Sequence, residues 1–325
     1  MNIEKRGSSY RIRQMYKGKF YSILLDHKPT QKEATILMAE ALQVAESGEG
    51  GTVLSCINGY IDAKYNVLSP SSIKGYRAIS RNSPEWFLNM NVYDVTQLEL
   101  QRAVNEYSLD HSPKSVRNYH ALMVASIKMY RPTFTVNTTL PQKIAKETVI
   151  PNHDDIIRLL ESMKDNEYYP CIVLGCLGLR RSEVLALEPS DFVDNRVYIN
   201  KARVSNEFSQ YVVKSTKTTA STRCIFVPVE LTEMIQARGY VYRGHPNTLI
   251  DVMHRYQDKI GMPRCRFHDL RHFYVSFAHS VGMSDADIMT AGGWKTDNVM
   301  KNVYRHSMND ESEQERVAKT MLNFF

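Results

Sequence analysis

The sequence lacks any run of about 18 apolar residues, the length a membrane-crossing helix needs. Its first residues, MNIEKRGSSYRIRQ, hold no apolar h-region, so no secretory signal is expected. Cysteine is scarce: Cys56, Cys171, Cys176, Cys224 and Cys265 lie scattered, without a C-x-x-C pair or a nearby C-x-x-H. An odd, dispersed set of this kind suits reduced thiols and argues against a disulfide framework or a zinc site. There is no internal repeat, no low-complexity tract and no acidic cluster that would invite Mg²⁺. Together these absences predict a cytoplasmic protein with no membrane partner and no metal.

What is present is enough for a sizeable core: 325 residues, 43% of them hydrophobic, which predicts two or three domains. The net charge of +6 is mild, and its distribution says more than its size. The first twenty residues carry Lys5, Arg6, Arg11, Arg13, Lys17 and Lys19 against the single acid Glu4. Such a cluster is the electrostatic footprint of a polyanion partner. A solvated surface hairpin accounts for it equally well.

Three segments separate along the chain. Residues 1 to about 27 alternate (SYRIRQMYKGKFYSILL) around a Lys17-Gly18 turn, a β-hairpin or small sheet. Thr30 with Glu33 three positions on reads as a capping box opening a helix. After the linker-like Glu46–Gly51, residues 52–145 read as about four helices. Lys74, Arg77 and Arg81 fall on one side of one helix, and Lys114 and Arg117 on one side of another. Each set is by itself a solvated face; two of them behind a basic hairpin suggest a clamp on DNA. A Lys-rich second linker (Leu140 to Pro151) precedes a mixed α and β segment over residues 150–325.

In that last segment GLRRSEVLAL puts Arg180, Arg181 and Glu183 at the start of an otherwise apolar helix, which a surface ion pair and cap would also explain. Lys214 and Lys217 sit near the tip of a strand–turn–strand stretch that returns as RCIFVP. In RFHDLRHFYVSFAHS, the residues Phe273, Val275, Phe277, Ala278 and Val281 can supply a buried face. His268, Asp269, Arg271 and His272 crowd its first turn. His268 and Arg271, three apart, project to the same side. With Arg180 they can set two guanidinium forks and an imidazole around one phosphate. Trp294 follows a Gly-Gly turn, and Tyr304 stands ten residues beyond it.

Arg-x-x-Glu, a hairpin lysine, His-x-x-Arg, Gly-Trp and a late tyrosine, in that order, resemble the tyrosine recombinases of the phage integrase family. The resemblance covers the whole chain and is most specific in the last segment. It implies a multidomain fold with three parts. Residues 1–47 would be a small β-rich domain with a helix that binds arm-type DNA sites. Residues 52–145 would be an all-α, four-helix, SAM-like core-binding domain. Residues 150–325 would be a mixed α+β, mainly helical catalytic domain with a small antiparallel sheet.

The resemblance also implies roles. Arg180, Lys217, His268, Arg271, Trp294 and the nucleophile Tyr304 would be catalytic, supported by Glu183 and His272, with Lys214 in reserve for Lys217. Arg11, Arg13, Lys17, Lys19, Lys74, Arg77, Arg81, Lys114 and Arg117 would contact DNA. Trp294 stands where most members have His and some have Trp, so proton transfer would rest more on His268 and Lys217. The implied activity is site-specific recombination through a 3′-phosphotyrosine, inserting and excising a phage genome or mobile element without a cofactor. Implied partners are double-stranded DNA, a homotetramer on that DNA, a recombination directionality factor and a host DNA-bending protein. The tail after Tyr304, with Val317, Met321, Leu322 and Phe325 on one side, would exchange between protomers. Two other readings compete: relaxation of the type IB topoisomerase kind, and a DNA-binding regulator that kept the fold and lost catalysis.

Overall fold

In the computed structural model, residues 1–16, 18–47, 51–143, 150–215, 222–294 and 296 are described, without the side chains of Lys19 and residues 43–47. Lys17, Lys217, Tyr304 and the C-terminal tail therefore lie outside the described residues. The chain divides into two compact units, Met1–Lys146 with Ser205–Gln210, and Glu147–Val204 with Tyr211–Phe325. Among the described residues no helix is long and apolar enough to cross a membrane.

The first unit opens with strands β1 (Asn2–Arg6), β2 (Ser9–Tyr16) and β3 (Lys19–Leu25), antiparallel in that order. Period-two alternation sets Ile12 directly opposite Ile23 on the buried face. Helix α1 (Gln31–Ser47) supplies Ala34, Leu37, Met38 and Ala41 to the same core. Its start is the expected capping box: Glu33 N–H donates to Thr30 Oγ1 at 3.2 Å, and Thr30 N–H to Glu33 Oε2 at 3.3 Å. His27 lies between Asp26 and Glu33, 2.9 Å from each, and the Asp26 and then the Glu33 hydrogen bond raise its pKa.

Helices α2 (Val53–Ala63), α3 (Pro70–Arg81), α4 (Glu85–Leu88), α5 (Gln97–Ser108) and α6 (Pro113–Tyr130) follow, with a 3-10 turn at Val92–Asp94. Thr52 and Ser112 cap α2 and α6, and prolines at the first turns of α3 and α6 stand where a missing N–H costs nothing. The four-residue α4 carries no periodic signal, and the sequence reading had no place for it. The apolar residues of the sheet, α1 and these helices belong to one buried cluster, so residues 1–47 and 52–145 share a core.

That core is pinned by a charge. Arg131 is 3% exposed and donates through Nη1 to the carbonyls of Val92 (2.7 Å) and Val95 (2.8 Å) at either end of the 3-10 turn. Burial pushes its pKa down to about 10, with Tyr93 and Asp94 opposing, so it stays cationic at neutral pH. Apolar surroundings alone cannot satisfy two buried carbonyls, and a long cationic donor does both.

The second unit contains α7 (His153–Met163), α8 (Tyr169–Cys176), α9 (Arg181–Val184) and a 3-10 turn at Pro189–Asp191. Strands β4 (Phe192–Val193), β5 (Arg196–Ile199), β6 (Lys201–Ser205), β7 (Tyr211–Ser215) and β8 (Arg223–Phe226) come next. Helices α10 (Val229–Arg238), α11 (Pro246–Lys259), α12 (Phe267–Ser280) and α13 (Asp285–Gly292) complete it. β4, β5 and β8 form one antiparallel sheet, and β6 with β7 a second, two-stranded one. Helices α8 and α12 pack so closely that a Cβ on Gly175 would sit 2.8 Å from the Phe267 ring.

The buried face of α12 is partly different from the expected one. Phe267, Leu270, Phe273, Val275 and Ala278 are buried, whereas Phe277 is 40% and Val281 64% exposed. Phe277 instead stacks on the His153 ring at 5.6 Å, and Val281 is the C-cap, beyond the packed turns.

We expect Arg131→Met, which keeps bulk but strands two buried carbonyls, to lower stability by about 2–4 kcal/mol in chemical denaturation. An unchanged midpoint would mean that water already serves those carbonyls.

Candidate active site

The site grows from a carboxylate. Glu183, 2% exposed on α9, reaches back to the residue that begins its helix and accepts the Arg180 N–H at 2.9 Å. Its Oε1 also accepts Arg180 Nη1 at 2.7 Å. From across the unit Arg223, at the start of β8, sets a fork on the same carboxylate, with Nη1 to Oε1 at 3.2 Å and Nη2 to Oε2 at 2.9 Å. Burial alone would raise the Glu183 pKa. The Arg223 hydrogen bond and charge, followed by the Arg180 N–H and charge, more than offset it and hold the group below its ordinary value.

Both guanidiniums then tie down the end of α13. Arg223 Nε donates to the Ala291 carbonyl at 2.7 Å and Arg180 Nη2 to the Gly293 carbonyl at 3.1 Å. These carbonyls are among those a helix C-terminus leaves without partners, where cations are favoured. The Arg180 side chain keeps 34% of its surface exposed, while that of Arg223 keeps 4%. Arg180 is thus held from behind and open in front.

Arg271, on the first turns of α12, is 1% exposed. Its Nη1 donates to the Gly178 carbonyl, and its guanidinium carbon lies 3.7 Å from the centre of the Trp294 ring. Gly178 can present that carbonyl because it adopts φ +90°, and a Cβ there would meet the Tyr274 ring at 2.9 Å. The second nitrogen, Nη2, is buried without a hydrogen-bond partner. Burial and the neighbouring Arg180 push the Arg271 pKa down to about 9, so it is still charged at pH 7.

His268 and His272 stand edge to face, ring centres 4.9 Å apart. His268 keeps an accessible edge, yet the enclosure of its ring, then His272 and Arg271, push its pKa down to about 4. It is neutral at pH 7 and can accept a proton. Burial likewise lowers the pKa of His272, whose Nδ1 has no partner. Asp269, which might have charged these imidazoles, is spent on the helix start, accepting from Arg266 N at 2.7 Å, Nε at 3.0 Å and Nη2 at 2.7 Å.

Of the six residues assigned catalytic or supporting roles that fall among the described ones, Arg180 is bonded to Glu183, Trp294 packs on Arg271 and follows the Gly293 carbonyl that Arg180 holds, and His268 meets His272 edge to face. Lys214 lies part-buried on β7. Arg223 was missed by the sequence reading. The available signal is strand alternation: Arg223 and Ile225 face inward, Cys224 and Phe226 outward, and an arginine on an inward position demands a buried acid.

The basic residues assigned to DNA contact are spread through the first unit, with varied engagements. Arg13 lies 3.9 Å over the Phe20 ring, and Arg11, partly enclosed, contributes charge that offsets the burial-driven rise of the Asp94 pKa. Lys74 donates to Ser205 Oγ at 2.7 Å and Ser209 Oγ at 3.2 Å. Arg77 is shared among Asn58, Asp62 and Glu207. Arg117 donates to the Pro141 carbonyl at 2.8 Å. Arg81 and Lys114 are exposed.

The depressed His268 pKa has a signed consequence. Between pH 6.5 and about 4 the unfolded chain binds more protons at this residue than the folded one, so stability is full above 6.5 and falls on acidification through that window. Proton-resolved titration is expected to give a His268 midpoint near 4, and His268→Gln to flatten that part of the acid limb; a midpoint near 6.5 would show a solvated ring.

Residues 151–311 match the model of the phage integrase family. An integrase of Mycobacterium phage L5 is 27% identical over 201 residues, 54% of this chain, and the match spans 52%, about half, of that relative's length. The Tn1549 transposon integrase, solved in complex with a circular intermediate DNA, superposes with a TM-score of 0.66 at 14% identity, covering 83% of this chain and 99% of that one. Lambda integrase, solved as a dimer bound to a COC′ core site, superposes at 0.55 and 14% identity over 93% and 94% of the two chains. The same protein as a tetramer on a Holliday junction gives 0.52, also at 14% identity and over 93% and 94% of the chains. At these identities the superpositions establish an integrase-like fold of helices with small antiparallel sheets. The chain thus carries a phage integrase family domain over residues 151–311.

Proposed function

We propose that this chain is a site-specific DNA integrase that cuts and rejoins strands by phosphoryl transfer through Tyr304. One observation carries the reading. Arg180 and Arg223 share the single carboxylate of Glu183, the charge of Arg271 is felt at the same carboxylate, and the buried Nη2 of Arg271 has no acceptor. An excess of buried positive charge with an unused donor is costly unless an anion completes it. A phosphodiester supplies that anion.

In this reading the Tyr304 oxygen attacks the phosphorus, and the bond to the 5′ oxygen breaks. Arg180 and Arg271 stabilise the charge that builds on the non-bridging oxygens. The neutral imidazole of His268 takes the tyrosine proton, and Lys217 protonates the departing 5′ oxygen. The 3′-phosphotyrosine keeps the bond energy until a 5′-hydroxyl from another strand attacks it and releases the tyrosine, so no nucleotide cofactor is consumed. Trp294 packs on Arg271, and its indole N–H is a further donor toward the phosphate.

The first unit would bind the DNA. The basic β2 and β3 face would take arm-type sites, with Arg81 and Lys114 the exposed cations of the helical part. By likeness to the DNA-bound integrases the working assembly would be a homotetramer on DNA, assisted by a directionality factor and a host DNA-bending protein, and the element moved a phage genome or mobile element. Residues 308–325 would exchange between protomers.

The test is to trap covalent protein–DNA adducts in cells expressing the chain, beside Tyr304→Phe, and sequence the attached DNA. We expect adducts at a discrete repeated site and none from the variant. Adducts spread over arbitrary sequence would turn the reading to topoisomerase-like relaxation. No adducts, even on nicked suicide substrates bearing the bound site, would turn it to a silent regulator.

A further inference from the structure

We propose that Arg223 is a positioning residue for Arg180: by occupying half of the Glu183 carboxylate, it stops that acid from capturing both ends of the Arg180 guanidinium. This rests on the reading that Arg180 faces a phosphate. A carboxylate offers about four lone-pair directions, and here all four are taken. Arg180 Nη1 and Arg223 Nη1 share Oε1, while the Arg180 backbone N–H and Arg223 Nη2 share Oε2. The Arg180 guanidinium is therefore bound to the acid through one nitrogen only. Its other end donates to the Gly293 carbonyl, and part of its surface stays open.

Arg–carboxylate pairs prefer the two-bond fork. Were Arg223 absent, Oε2 would lose its side-chain donor, and Arg180 would be free to swing into that fork. The swing would draw Nη2 away from Gly293 and turn the open edge of the guanidinium toward the protein. Arg223 blocks it with a fork of its own. Its third contact, Nε to the Ala291 carbonyl, locks it in place two residues before the carbonyl that Arg180 uses. The inward-facing start of β8 and the end of α13 thus set the direction of a side chain on neither element.

Charge and geometry separate in Arg223→Lys, which keeps the cation but cannot make a fork. The experiment uses the full chain with ¹⁵N-labelled arginine and follows the guanidinium Nε–Hε resonances, assigned by single replacements, before and during titration with inorganic phosphate. Without phosphate, we expect Arg223→Lys to displace the Arg180 resonance, and Glu183→Gln in the same chain to return Arg180 to an open state. With phosphate, the wild type should shift both Arg180 and Arg271. Arg223→Lys should leave only Arg271 responsive and bind phosphate about tenfold more weakly, and the double variant should recover the Arg180 response. An Arg180 resonance unmoved by Arg223→Lys overturns the proposal. Should that variant not fold, Arg223→Gln with and without Glu183→Gln gives the same comparison. A wild type in which phosphate moves neither arginine contradicts the phosphate reading alone, because the phosphate-free spectra still decide the positioning.

Discussion

The second unit's candidate site depends on one buried carboxylate. Glu183 is expensive to bury, and the expense is met by the four donors that converge on it. Through those donors α9, β8 and the end of α13 are fixed to a common point. Trp294, directly beyond that end, lies under Arg271, so the carbonyl that Arg180 holds is one residue from the ring on which Arg271 packs. Three cations around one acid would be an unstable arrangement in a core built only for packing. It is reasonable where an anionic ligand is part of the design.

The imidazoles fit that account. Burial of its ring, with His272 and then Arg271 adding to it, lowers the His268 pKa and leaves it neutral at physiological pH; Asp269, occupied by Arg266, opposes this only in part. In the proposed reaction a neutral imidazole and the arginines would divide two tasks, proton acceptance and charge stabilisation.

Much of this was legible in the sequence because the signals are local. Thr30 and Glu33, three apart, announce a cap, and Glu183 and Asp269, each three residues after an arginine, reach back in the same way. Arg180, His268, Arg271 and Trp294 could be named from motif order. What escaped depends on packing between distant elements. Arg223 meets Glu183 across 40 residues, and nothing beside Arg223 in the chain names that partner. Arg131 looks like the end of a basic helix, but is buried against carbonyls some 36 to 39 residues away. Arg77 shares a helical stripe with Lys74 and Arg81, yet acids from other segments claim it. Phe277 reads as core by periodicity, and His153 lies on it instead.

In the proposed reaction Arg180 and Arg271 converge on a phosphoryl-shaped anion. Calorimetric titration with orthovanadate, a tetrahedral oxyanion that becomes five-coordinate, as a transferring phosphoryl group does, when it gains a further ligand, compares wild type with Arg271→Gln. We expect saturable binding by the wild type, weakened at least about tenfold in the variant, since a buried charged donor is removed. Equal binding by both, or none by a folded wild type, would contradict that convergence.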